Sequence, residues 1–456
     1  MRPTTLEEVA HVLGTAPPAG SEEQVRGVAS DSRQVRAGGL FFALQGRTDG
    51  ATFAPEAHRR GAVATVATRQ LDGATLVVED PLEAMQRLAR WTLAREDAPS
   101  PTVVGITGTV GKTTAKDALA TILRYAGKRV SATAGNFNNE IGLPLTVLAA
   151  DGRTEILVLE MGATHAGDIE HLCDIAPPSV GILTAISPVH LDSFGTLDGL
   201  ASAKGELALA LPEDGTLVSP VDAPKAAVGQ GRTLGWRITF GHCADADLRA
   251  SEIEELEEGL GFRVRLGDAS AEVRSPVFGT HLVEPLLAAL GGALALGLDL
   301  ETSALGLSRL RRTGLRGEVY RLKQDILVYD DSYNASPVAV AAVLRYGAEQ
   351  AARQERRLVA ALGGMFELGA DARAYHREAG RLAGEAGVDL LVCVGDEARW
   401  YAEAFPGRSM FYTDAGAAAE ALRSELRDGD YLIVKGSRGV GLDTLTRKLR
   451  ESLALV

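Results

Sequence analysis

Cysteine is scarce in this chain: Cys173, Cys243 and Cys393 stand far apart in 456 residues, and none belongs to a CxxC pair. That excludes a disulfide framework or a cysteine-built zinc site and points to a reducing, cytoplasmic setting. Long apolar runs are lacking too. The longest, Pro285 to Leu298, has 14 residues, too few to cross a bilayer, so no membrane partner is expected. The N-terminal string MRPTTLEEVAHVLG reads as a short amphipathic helix without the apolar centre of a signal peptide. No basic cluster offsets the net charge of −13, which is spread along the sequence. Nucleic acid is thereby excluded as the main partner, because phosphate backbones need a clustered basic surface. A small anion held in a local pocket stays compatible. Internal repeats and low-complexity tracts are absent.

What is present is the composition of a soluble globular protein, 46% hydrophobic and 23% charged. The length asks for two or three hydrophobic cores rather than one. Residues 1–98 carry short β-like pieces, LFFAL (40–44) and TLVVED (75–80), and then a helix, PLEAMQRLARWTLAR. Leu82, Met85, Leu88, Ala89 and Trp91 give that helix an apolar face. EDAPSP (96–101) reads as a linker, because its prolines stop a helix. Residues 99–314 open with the strand TVVGIT and alternate further strands, EILVLE (155–160) and SVGILTAI (179–186), with helices. This order predicts a parallel sheet covered by helices. Residues 315–456 alternate again, through ILVY (326–329), RLVAAL (357–362), DLLVCV (389–394) and YLIV (431–434), as in a Rossmann-like domain. The expectation is an α/β protein of three domains.

The most specific signal is Gly105-Ile-Thr-Gly108-Thr109-Val110-Gly111-Lys112-Thr113-Thr114, set between a strand and the helix TAKDALATILRYAG. Glycines let such a loop fold tightly, with its N–H groups aimed at phosphate oxygens. Lys112 would reach the β- and γ-phosphates of ATP, and the Thr113 hydroxyl would ligate Mg²⁺. The general phosphate-loop pattern asks for glycine where this chain has Ile106. Two later strands run into polar residues on the same side: Glu160, an oxygen ligand suited to Mg²⁺, and His190. By itself His190 reads as a loop histidine, and Lys204 as a solvated helix lysine.

The loop spelling Thr-Gly-x-x-Gly-Lys-Thr-Thr resembles that of the Mur ligases and the folylpolyglutamate synthases. The run from Thr184 through His190, Gly195 and Lys204 to Glu206 is similar to a Mur-ligase signature. In that family the histidine position assists a second Mg²⁺, and the lysine is carbamylated to become a metal-binding anion, so the resemblance implies two ions held by Thr113, Glu160, His190 and Lys204. A bare ammonium beside two cations would be repelled, and a carbamate would not. Ser30-Asp31-Ser32-Arg33 and Gly38-Gly39-Leu-Phe-Phe42 resemble the uridine-nucleotide domain of the Mur ligases that act on longer peptides. There Ser32 and Arg33 can donate to a diphosphate or to uracil, although a polar turn fits them equally well. Thr133-Ala-Gly-Asn136-Phe-Asn138-Asn139 resembles the family's Asn-rich loop near the reacting phosphates, and Asp330-Asp331-Ser-Tyr333-Asn334, Met365-Phe366-Glu367-Leu368-Gly369 and Lys435-Gly436-Ser437-Arg438 are similar to the branch that adds D-alanyl-D-alanine.

The resemblance therefore implies an ATP-dependent ligase joining D-alanyl-D-alanine to a UDP-N-acetylmuramoyl-tripeptide, as a monomer. It assigns Gly108 to Thr114, His281, Arg316 and Asp331 to the nucleotide, and Ser32, Arg33, Asn138, Asn139, Tyr333 and Asn334 to the other substrates. Lys112, Glu160, His190 and Lys204 are the expected catalytic set. Three departures stand out. Leu282 and Pro285 replace two asparagines on the adenine side, Gly364 replaces an aspartate, and Gly38-Gly39 replaces a glycine-aspartate pair. A ligase of the same fold with another acceptor, or a nucleotide switch that forms no bond, are the competing readings.

Overall fold

The computed structural model describes residues 3–18, 22–96, 99–187, 194–229, 235–311 and 314–453. Three large sheets organise the described residues, beside a two-stranded pair, Thr4–Thr5 with Gln24–Val25. The first has four parallel strands, in the order Gly27–Ala29, Gly39–Phe42, Ala62–Ala67 and Thr75–Val77. The helix Pro81–Ala94 follows, capped by Asp80, whose carboxylate accepts the N–H groups of Leu82 and Glu83.

The central sheet has nine strands. Thr102–Thr107 lies inside it, between Ile156–Glu160 and Val180–Leu183, and is parallel to both. These three strands are β-branched or aliphatic nearly throughout, as burial on both faces demands. On one face lie the helices Lys112–Tyr125, Val283–Ala295 and Leu300–Leu307. The other face differs. There Val103, Leu157, Leu159 and Met161 share one core with Leu40, Phe42, Leu76, Met85 and Leu88 of the first domain. Gln86 on the first domain's helix also donates to the Glu140 carbonyl at 3.0 Å.

The third sheet has six strands, parallel except for the edge strand Glu318–Arg321, with helices on both faces. The three-domain α/β architecture thus matches the expectation, with one difference. The central sheet is not wholly parallel: Leu248–Leu256, Gly259–Leu266 and Ala269–Ser275 form an antiparallel meander at its far edge. Two-residue connections join them, and no helix fits into so short a crossover. Among the described residues no helix is long and apolar enough to cross a membrane.

Candidate active site

The strand Thr102–Thr107 delivers the glycine loop to the carboxyl edge of the central sheet, and the helix Lys112–Tyr125 leaves from it. Two glycines are required by space as well as by conformation. Gly108 has φ +142°, and a Cβ there would lie 2.2 Å from Thr184 Oγ1; Gly111 has φ +82°, and its Cβ would lie 2.7 Å from Pro285 Cγ. The loop is stitched to the end of the neighbouring strand. Thr109 N–H donates to the Ala185 carbonyl at 2.8 Å, and the Thr184 hydroxyl donates to the Val110 carbonyl at 2.6 Å. An alanine at Gly108 is expected to weaken nucleotide binding at least about tenfold, because the loop must open to admit the methyl group. Calorimetric titration with ADP measures this, and an unchanged affinity would contradict the packing described.

Lys112 curls over the loop and donates to the carbonyls of Gly108 at 2.7 Å and Thr109 at 3.3 Å. Burial of its ammonium pushes the pKa below the ordinary lysine value, with Arg316 adding to the shift and Glu160 opposing it. Thr113, at the start of the helix, donates to Glu160 Oε2 at 2.8 Å, and the Asn138 amide donates to Oε1 at 2.8 Å. Thr133, to which the Asn-rich motif gives no role, accepts the Glu160 backbone N–H on its hydroxyl at 2.9 Å. Glu160 is only 3% exposed, so both of its oxygens have fixed directions. Among the described residues no group of three or more His, Cys, Asp or Glu side chains could hold a metal. One carboxylate with one hydroxyl is nonetheless an all-oxygen set suited to Mg²⁺, which keeps several waters and is completed by substrate phosphates. His190 lies outside the described residues.

Lys204 is on the helix Leu197–Ala210, 3% exposed, and lines the same cleft. Its Nζ donates to the Ala163 carbonyl at 3.4 Å and lies 5.6 Å from the centre of the Phe194 ring. A solvated surface lysine it is not. Burial pushes its pKa down to about 7; Lys112 adds to the shift, and Glu206 and Asp168 oppose it. The sequence pattern assigns Glu206 no role. Its carboxylate accepts the backbone N–H groups of Gly167, Ile169 and Glu170 at 2.7, 3.1 and 3.1 Å. It thereby caps the helix Asp168–Ile175 and ties the Lys204 helix to it.

Opposite the loop stands the third domain. The Arg316 guanidinium stacks on the Tyr333 ring at 3.9 Å, and Arg438 approaches the same ring at 6.0 Å. Lys435 bonds to Asp331 at 2.5 Å and to the Asn334 carbonyl at 2.8 Å. All six residues line one cleft of about 1420 Å³, together with residues 108–114, Asn138, Asn139, Glu160, Lys204, His281 and Gln86. Five cationic side chains, Lys112, Lys204, Arg316, Lys435 and Arg438, converge there in a chain of net charge −13. Carboxylates line the same cleft, Asp80, Glu83, Glu140, Glu160, Asp168, Glu284, Asp331 and Glu367, so the basic side chains offer local contacts for phosphate rather than a cleft of one sign. His281 is held neutral, burial driving its pKa down to about 4, and its Nδ1 is buried without a partner. Leu282 and Pro285 line the same wall.

Three further expected contacts are engaged elsewhere in this structure. Arg33 pairs with Asp31 at 2.7 Å, and the Ser32 hydroxyl donates to Glu56 at 2.8 Å; neither residue lines the cleft. The Asn139 side chain accepts the Gly142 N–H at 3.0 Å, at the start of the helix Gly142–Ala149.

A nucleotide loop that opens onto a second α/β domain is the layout of an ATP-dependent ligase. Comparison with known proteins makes the class specific. Residues 106–293 match the Mur ligase middle domain, and residues 315–438 match the family described as Mur ligase, glutamate ligase domain. The UDP-N-acetylmuramoyl-tripeptide--D-alanyl-D-alanine ligase of Bacillus subtilis is 33% identical over 98% of both chains. A solved MurF structure from Acinetobacter baumannii superposes with a TM-score of 0.87 at 28% identity, covering 98% of this chain and 99% of its own. MurF from Thermotoga maritima, solved in complex with ADP, gives 0.80 at 30% identity, covering 94% and 99%. The chain belongs to the Mur ligase family.

Proposed function

We propose that this protein uses ATP to join D-alanyl-D-alanine to a UDP-N-acetylmuramoyl-tripeptide, making the pentapeptide precursor of peptidoglycan in the cytoplasm. The observation that carries the reading is the cleft, which the phosphate loop shares with residues of both flanking domains. Within it, the tripeptide's terminal carboxylate attacks the γ-phosphorus of ATP, and ADP leaves. The amine of D-alanyl-D-alanine then attacks the acyl-phosphate carbonyl. The tetrahedral intermediate collapses with loss of phosphate and of one amine proton.

Two anions must meet in the first step, so the chain's work is charge neutralisation and alignment. Lys112 holds the β- and γ-phosphates, while Arg316 and Lys435 approach from the third domain. Thr113 and Glu160 would hold Mg²⁺, which when bound neutralises charge on the transferring phosphoryl group. His190 and Lys204 would hold a second ion, with Lys204 as its carbamate. The burial of Lys204 and its cationic surroundings support this, because CO₂ adds only to a neutral amine. Asn138 orients Glu160, and Tyr333 and Asn334 face the acceptor side.

The deciding experiment measures phosphate release with each substrate omitted in turn. Release is expected only when ATP, the UDP-tripeptide and D-alanyl-D-alanine are all present. Release supported equally by single amino acids would identify another acceptor, and release indifferent to the tripeptide would end the ligase reading.

A further inference from the structure

The segment joining the strand Ala269–Ser275 to the helix Val283–Ala295 belongs in sequence to the central domain, yet its side chain Phe278 is packed into the third domain's core. That core cluster contains Phe278 with Tyr329, Val340, Tyr346 and Tyr431. The next contacts bind the segment from two sides. The Tyr329 hydroxyl donates to the Phe278 carbonyl at 3.2 Å, and Glu255 Oε1 accepts the Gly279 N–H at 2.8 Å. Glu255 sits at the tip of the central sheet's meander, where Arg353 of the third domain donates to its carbonyl at 3.3 Å. There is little slack. A Cβ on Gly279 would lie 2.3 Å from His281 Cε1, and one on Gly317 would lie 2.9 Å from the Tyr329 hydroxyl. Two residues beyond Gly279, His281 lines the cleft, and Pro285 presses on Gly111 of the phosphate loop.

We infer that residues 276–281 form a strap by which the third domain sets the wall of the nucleotide site, with Tyr329 as the positioning residue. The physical route is short and continuous. Tyr329 holds the Phe278 carbonyl, Gly279 fixes the place of His281, and the helix start carries Pro285 against the loop. When the third domain shifts, Phe278 goes with its core, and the strap carries the displacement to the loop. Nucleotide affinity and domain placement are therefore one coupled equilibrium, and each biases the other. The inference rests on the assignment of the loop as the ATP site.

Tyr329→Phe tests it, because the ring and its packing remain and only the donor is lost. Tyr346→Phe is the control: its ring lies 4.6 Å from that of Tyr329, and its hydroxyl is hydrogen-bonded to Tyr431. ADP affinity is measured by calorimetry, the ATP KM and kcat by phosphate release, and the melting temperature of each variant is recorded. Tyr329→Phe is expected to weaken ADP binding and raise the ATP KM by roughly threefold to tenfold, the range of one lost hydrogen bond. Its kcat at saturating ATP should stay within about twofold of the parent, and the control should leave all three values unchanged. Glu255→Met, which removes the second anchor, should act in the same direction. Equal affinities for Tyr329→Phe and Tyr346→Phe would overturn the inference, as would matching losses in both. A parent enzyme that binds no ADP would instead overturn the assignment of the loop.

Discussion

Lys112→Ala is expected to lower ligation at saturating ATP by on the order of a hundredfold or more while leaving the protein folded. The lysine ammonium lies inside the turn of the loop, bonded to the Gly108 and Thr109 carbonyls, and contributes nothing to a hydrophobic core. On the mechanism proposed above, its removal would cost the charge that meets the transferring phosphoryl group. Arg316 comes from the other domain and is committed to the Tyr333 face. Turnover with both substrates, read beside a thermal unfolding curve, measures the effect. A variant keeping a third of normal turnover would remove Lys112 from the mechanism.

The second large effect is expected at Lys204. Lys204→Ala should lose activity by on the order of a hundredfold, the scale of a lost metal ligand. Acetate or formate should restore part of it by filling the vacated position with a carboxylate. Lys204→Arg should be inactive and beyond rescue, because its charge is permanent. A readout independent of turnover exists: protein equilibrated with ¹³C-bicarbonate should show a carbamate carbon resonance that is missing from Lys204→Ala. The amine is prepared for this chemistry. With its pKa pushed down to about 7, most of it is neutral at pH 8, whereas an ordinary lysine would be almost wholly protonated. An active Lys204→Arg, or a missing resonance in the parent, would reduce the residue to a buried structural cation.

The loop was legible from the chain because its chemistry is local: ten consecutive residues carry the glycines, the lysine and the hydroxyls. Glu160 was legible for a related reason, since a charged residue ending an apolar strand marks the ligand edge of a parallel sheet. Harder to read was what holds these groups. Thr133 reaches Glu160 across 27 positions and Glu206 reaches Gly167 across 39, and no short pattern encodes such pairings. The meander at 248–275 is hard to read because its strands mix charged with apolar residues, so the hairpin signal of the turn Gly267-Asp268 stands without a clean alternation on either side. Ser32 and Arg33 were legible as polar. That Glu56 and Asp31 would occupy them was not, because an acidic neighbour can compete for a donor as well as complete a site.

The core shared by the first domain and the central sheet has a mechanical meaning. Two sheets joined through Met85, Leu88, Leu143 and Leu159 cannot slide past each other without exposing apolar surface, so they behave as one body. Three domains by architecture are then two packed units, the third domain meeting the other two through the strap at Phe278. On the reading proposed above, a substrate whose nucleotide end is held on the first domain would reach the phosphate loop across a fixed span, as on a ruler. The number of residues in its peptide would then decide whether its carboxyl end arrives at the γ-phosphate. Chain length would be sensed by rigidity, and only the incoming amine would have to travel.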